Sequence, residues 1–121
     1  RSGARSVTIW GDGTPTREFL YVEDAAEGVL AAAERYDGSD PVNLGCSREI
    51  TISMLAHTIG TLLGYTGEFV YDRTKPNGQP RRKLNVTRAH MRLGWTAGIS
   101  FSDGLRKTIE WWKKERDPNG Q

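Results

Sequence analysis

A single cysteine, Cys46, supplies all of this chain's thiol chemistry. One thiol excludes an internal disulfide framework and suits a reducing cytoplasm, where the protein is expected to reside. No apolar run approaches the roughly 20 residues that span a bilayer, and no signal-peptide pattern occurs, so no membrane partner is expected. The two histidines, His57 and His90, have no cysteine or carboxylate at metal-ligand spacing, so neither is expected to bind a metal. No serine–histidine–acid triad, paired carboxylates, internal repeat, low-complexity tract or linker can be argued. Charge of one sign is also scarce: 17 basic and 15 acidic residues leave a net +2, too little to favour nucleic acid as a partner. The chain begins with Arg1 rather than methionine, so a segment upstream is expected to be missing from it.

What remains is an ordinary globular composition, 36% hydrophobic and 26% charged, over 121 residues. That length fits one domain, read as a single α/β unit over residues 1–116 with a polar, frayed tail over 117–121. Val7-Thr8-Ile9-Trp10 reads as a short strand closed by the turn Gly11-Asp12-Gly13. A helix follows over Glu23 to Tyr36: Val22, Ala25, Ala26, Val29, Leu30 and Ala33 recur at helical spacing, and Glu23 and Asp24 suit the positive end of its dipole. Pro41 to Gly45 is a short strand candidate. Thr51 is the expected N-cap of a second helix that Gly64 stops. Glu68 to Tyr71 is a strand, Arg73 to Arg82 a loop, Thr87 to Leu93 a short helix. A last helix runs from Phe101 to Glu115 behind Ser100, with Phe101, Leu105, Ile109 and Trp112 as its inner stripe.

The charge is unevenly spread. Arg73, Lys75, Arg81, Arg82, Lys83, Arg88 and Arg92 fall within twenty residues that contain no acid. Such a patch suits a phosphorylated ligand, or it is simply a solvated face. Arg17, leaving a glycine turn, has the planar fork of donors that holds a phosphate; pairing with Glu18 or Glu23 is the competing reading. Arg81 and Arg82 after Pro80 offer the same chemistry. Trp10 fits either a ring laid beside a sugar or base, or a core tryptophan. Gly11 and Gly13 make only a lone GxG with no third glycine, hence a turn and not a cofactor loop. Tyr71 and Lys75 form a YxxxK pattern, but Tyr71 ends a strand and Pro76 forces Lys75 out of helical geometry, so a catalytic pair is not expected. Cys46, after Gly45, is expected to be a small buried side chain.

Taken in order, Trp10-Gly11-Asp12-Gly13-Thr14-Pro15, Arg17 to Asp24, Val42 to Gly45, Lys75 to Arg82, Leu93-Gly94-Trp95 and the Gly104-Leu105…Thr108 to Trp111 stretch resemble the C-terminal part of an extended short-chain dehydrogenase/reductase of the NAD-dependent epimerase/dehydratase family. The resemblance covers residues 5 to 115. Trp10 and the Lys75–Arg82 loop point to its GDP-L-fucose synthase branch, NADPH-dependent epimerase-reductases of GDP-4-keto-6-deoxymannose. It implies an α/β fold holding part of a Rossmann domain and a small substrate lobe. It also implies that Trp10, Arg17, Asn77 and Arg82 line a nucleotide-sugar site, with asparagine at 77 where the branch usually has aspartate; Arg81 joins these candidates through its own forked donors.

The branch carries its Gly-rich cofactor loop, catalytic serine and Tyr-x-x-x-Lys pair upstream of the Trp10 motif. No catalytic or cofactor-binding residue is therefore assigned here, NADPH is implied only for the full-length enzyme, and no turnover is expected from this chain alone. The helix from Glu23 and the strand at Val42 are expected to pack on the absent Rossmann portion. Their apolar faces would be left open, or would be covered by another copy in a homo-oligomer. The alternative is a non-catalytic phosphate- or nucleic-acid-binding module that retains the fold.

Overall fold

Val7, Thr8 and Ile9, three β-branched residues in succession, lie in β1 (Ser6–Trp10), and their stiff side chains favour the extended backbone. The computed structural model describes residues 5–117. These cluster into two compact units, one of residues 5–17 and 49–82, the other of residues 18–48 and 83–117. The hydrophobic pattern along residues 1–116 shows no such boundary, because each unit is assembled from two segments far apart in sequence.

In the first unit β1 pairs in parallel with β4 (Glu68–Asp72), from Ser6 opposite Glu68 to Trp10 opposite Asp72. A second, antiparallel pair joins β2 (Thr16–Arg17) to β3 (Ile50–Thr51). Parallel strands need a crossover, and α2 (Ile52–Leu63) leads into β4. Three N–H groups at the start of α2 find acceptors: Ile52 donates to the Pro15 carbonyl, Ser53 to that of Gly13, and Met54 to the Thr51 hydroxyl. Gly64 ends α2 at φ 73°, as its spacing predicts. Gly60 lets Phe69 of β4 approach, since a Cβ there would lie 3.0 Å from the ring.

The second unit is built on α1 (Val22–Arg35) and α3 (Phe101–Arg116). Ser100 caps α3 by accepting from Asp103 N–H at 3.1 Å, and Gly104 lies under the Tyr21 ring. Thr87 to Leu93 is helical as expected, but Ala89–Leu93 widens to a π-helix stopped by Gly94 at φ 66°. That turn delivers Ala89 and Leu93 beside Trp95, and these three are the buried apolar core.

Two expectations change here. Residues 41–45 form no strand: no partner strand lies beside them among the described residues, and Val42 and Leu44 pack instead against the Ala89–Leu93–Trp95 core. Helix α1 buries the face opposite its apolar stripe. Gly28 admits Leu44 and Trp95, whose side chains would come within 2.9 and 3.1 Å of a Cβ there. Asp24, 4% exposed, is no mere dipole partner: it accepts from Gly98 N–H (3.1 Å) and Ile99 N–H (2.9 Å). The stripe of Val22, Ala26, Val29, Leu30 and Ala33 is exposed, Val29 at 61% and Leu30 at 63%. Of the tail, Asp117 still donates its N–H to Lys113; the rest lies outside the described residues.

Candidate functional site

Because β1 and β4 run parallel, their C-terminal ends share one edge, the edge at which open α/β sheets present ligands. Each strand ends in the same device. Asp12 Oδ1 accepts from the N–H and hydroxyl of Thr14, at 3.0 and 2.6 Å. Asp72 Oδ1 accepts from those of Thr74, at 3.1 and 2.5 Å. Gly11 N–H and Lys75 N–H both donate to the Asp72 carbonyl, tying the two turns together. The Asp12 carboxyl is held below the ordinary value of 3.8, chiefly by the Thr14 hydroxyl and N–H, with smaller help from Asn77 and Arg73.

All five residues expected at a ligand site lie in this unit. Trp10 is 65% exposed, so it is not a core tryptophan, and the Lys75 ammonium stands 5.2 Å from its ring centroid. Arg17 donates to the Thr16 carbonyl at 2.6 Å and is not paired with Glu18. Glu18 instead accepts from the N–H groups of Ser47 (2.9 Å) and Leu84. Gly78 brings the loop to the tip of Arg17, whose Nη2 lies 3.6 Å from where a Cβ would be. Asn77 Oδ1 accepts from Asp12 N–H at 2.8 Å. Further along, Thr16 N–H donates to the Pro80 carbonyl and Thr16 bridges Arg81 as a parallel partner. The loop from Lys75 to Arg82 is thus stitched along the Trp10–Arg17 segment at three points.

The arginines are not equally available. Arg81, expected to offer a free fork to phosphate, sets both prongs on Glu49 at 2.7 Å, and this pairing raises its pKa above the ordinary arginine value. Glu49 also accepts from the Thr16 hydroxyl at 2.8 Å. Arg82 donates through Nε and Nη2 to a neutral partner, the Gln79 side-chain oxygen, and meets no acid among the described residues. Sequence reasoning missed Glu49, an acid distant in the chain that carries no local signal. It missed Lys75 as a partner of Trp10 because that residue was weighed only within the basic patch and as half of YxxxK. In the structure the Tyr71 hydroxyl meets Ser53 Oγ at 2.9 Å while Lys75 turns to Trp10, so the two side chains serve different neighbours.

The turn glycines cradle protein atoms. A Cβ on Gly11 would fall 2.0 Å from Asn77 Oδ1, and one on Gly13 would fall 2.6 Å from the Tyr71 ring. Both hold φ near 80–90°, the left-handed region, as a turn requires. Neither presents open backbone to a pyrophosphate, so these residues do not fit a dinucleotide. His57 stacks edge-on against Phe69 at 4.6 Å, and His90 Nδ1 meets Thr96 Oγ1 at 3.2 Å. Cys46 is half-buried, its thiol directed at the Arg48 carbonyl. Among the described residues no cluster of histidine, cysteine and acid could hold a metal, and no helix is long and apolar enough to cross a membrane.

Residues 1–45 match the NAD dependent epimerase/dehydratase family. The chain is 40% identical to GDP-L-fucose synthase 1 of Arabidopsis thaliana over 93% of its own length and 35% of that relative's. Its fold matches the UDP-glucose 4-epimerase of Thermotoga maritima, solved with UDP-glucose, at 32% identity and TM-score 0.84, covering 93% of this chain and 36% of that one. It also matches a GDP-L-fucose synthetase of Naegleria fowleri bound to NADP, at 26% identity and TM-score 0.84, over 93% and 36% of the two chains. The chain thus spans about a third of the length of the relatives it matches.

Proposed function

We propose that this chain, which belongs to the NAD dependent epimerase/dehydratase family, supplies the substrate-binding wall of a GDP-sugar oxidoreductase acting on a 4-keto-6-deoxy sugar nucleotide. The observation that carries the proposal is the loop from Lys75 to Arg82 laid along Trp10 to Arg17. It gathers an exposed aromatic ring, a cation above it and two guanidiniums that no acid neutralises among the described residues. Trp10 offers a flat apolar face to a sugar or base, and Arg17 and Arg82 offer forked donors to a diphosphate. Arg81 takes a supporting place, since Glu49 holds its fork and the bridge to Thr16 holds its backbone.

Hydride transfer from NADPH is the chemistry the whole enzyme would supply. No step is assigned to residues of this chain, because its two turn glycines are filled by Asn77 and Tyr71. By itself the chain is a binder and not a catalyst. The competing phosphate-binding module for nucleic acid loses support from the Arg81–Glu49 pair, which removes one cation from the basic patch.

Calorimetric titration of the chain with a GDP-sugar tests the proposal, alongside an NADPH-depletion assay on the keto-sugar. Saturable binding that Arg17→Ala weakens, with no NADPH consumed, is expected. A folded chain that ignores the GDP-sugar, or one that binds RNA equally well with a steep salt dependence, would sink it.

A further inference from the structure

We propose that Asn77 is a positioning residue that latches the basic loop onto the glycine turn carrying Trp10, and that its partner Asp12 is what makes asparagine fit there. This deepens the nucleotide-sugar reading and rests on it for its functional half. Asn77 Oδ1 accepts from Asp12 N–H at 2.8 Å, and since a backbone N–H can only donate, the oxygen of the amide must be the atom facing it. The seat is made by Gly11, where a Cβ would lie 2.0 Å from that oxygen and 3.3 Å from Asn77 Cα. The amide also helps keep Asp12 ionised, behind the two Thr14 contacts.

The Asn77 carbonyl oxygen is therefore spent on the Asp12 backbone. Aspartate at this position could still accept the N–H, but it would set a second carboxylate against the first. What the latch positions is specific. Two residues before it, Lys75 stands over Trp10; one residue after it, Gly78 meets the tip of Arg17. Releasing Asn77 frees the segment that aligns the aromatic face with the arginine fork. Binding should weaken although Asn77 itself need never touch the ligand.

The test uses the whole chain, with GDP as the probe in calorimetry and the Asp12 amide followed by hydrogen exchange. Asn77→Ala should speed exchange at Asp12 and weaken GDP binding about five-fold, the worth of one lost hydrogen bond. Asn77→Asp should do at least as much. The swap Asp12→Asn with Asn77→Asp restores one amide and one carboxylate, and should recover both readouts. A merely structural loss would not be rescued in this way. Asn77→Asp binding GDP as tightly as the original chain, or more tightly, would overturn the latch and put residue 77 on the base. If the original chain binds no GDP while Asp12 exchange still follows residue 77 as described, the nucleotide reading falls and the latch stands.

Discussion

Arg81 lays its guanidinium flat against the Glu49 carboxylate, Nε to Oε1 and Nη2 to Oε2, each at 2.7 Å. Two parallel bonds of this kind demand the planar fork of arginine, which lysine cannot imitate. Glu49 is the less exposed partner, 21% against 66%, and its Oε1 also takes the Thr16 hydroxyl. The pair therefore fastens the far end of the basic loop to β2. Arg81→Lys should lower the melting temperature slightly and leave affinity for a GDP-sugar within about two-fold, whereas Arg17→Ala should cost more affinity and less stability. Thermal melts and calorimetry on the two variants separate these roles; the opposite ordering would return Arg81 to the ligand.

Trp10 is exposed, and its ring meets the Lys75 ammonium across 5.2 Å. Trp10→Ala should reduce GDP-sugar affinity about ten-fold, in keeping with the worth of one aromatic stack on a base. Because the ring is open to solvent, the melting temperature should hardly move. Unchanged affinity in a folded Trp10→Ala protein would place the ligand elsewhere.

Asp24 lies at the centre of the second unit. Its carboxylate takes the N–H groups of Gly98 and Ile99, and its carbonyl takes the Trp95 indole N–H at 3.2 Å. Asp24→Ala strands two backbone donors and should destabilise the fold by about 2–4 kcal/mol. Asp24→Asn, which keeps one acceptor, should cost less. Urea denaturation of the three proteins is the check, and equal midpoints would refute the assignment.

Asp12 predicts a pH dependence. Its folded pKa lies below the ordinary 3.8, chiefly through Thr14, so the folded state binds a proton less readily than the unfolded chain. The stability it adds is present above the ordinary value and is lost as pH falls through the folded one. Asp12→Asn should therefore melt lower than the original chain near neutrality, with the gap narrowing below about pH 4. A gap that stays constant down to about pH 2 would show that the charge is irrelevant.

The exposed stripe of Val22, Val29 and Leu30 on α1 should make the isolated chain associate as its concentration rises. Leu30→Glu should shift light scattering toward a monomer without lowering the melting temperature, since the side chain is open to solvent. A clean monomer in the original chain at high concentration would count against the stripe as an adhesive surface.

Much of this was legible locally. Thr51, Gly64 and Ser100 mark helix ends because caps and left-handed stops are decided within a few residues. The convergence of Trp10, Arg17, Asn77 and the two arginines on one unit was legible only through resemblance. No local pattern says that residue 77 meets residue 12, or that residue 81 bridges residue 16. The failures share a cause. Pro41 to Gly45 has the composition of a strand, but a strand also needs a neighbour's hydrogen-bonding edge, and none stands beside it among the described residues.

The sequence by itself determined the helices, the strands at Val7–Trp10 and Glu68–Tyr71 and the glycine turn, because propensity and capping are properties of neighbouring residues. Tertiary structure decided which face of α1 is buried, since Gly28 could admit Trp95 only on the side away from the richer apolar stripe. It also decided which arginine is free. Arg81 and Arg82 are adjacent and chemically identical in sequence, and only folding brings Glu49 to one and Gln79 to the other.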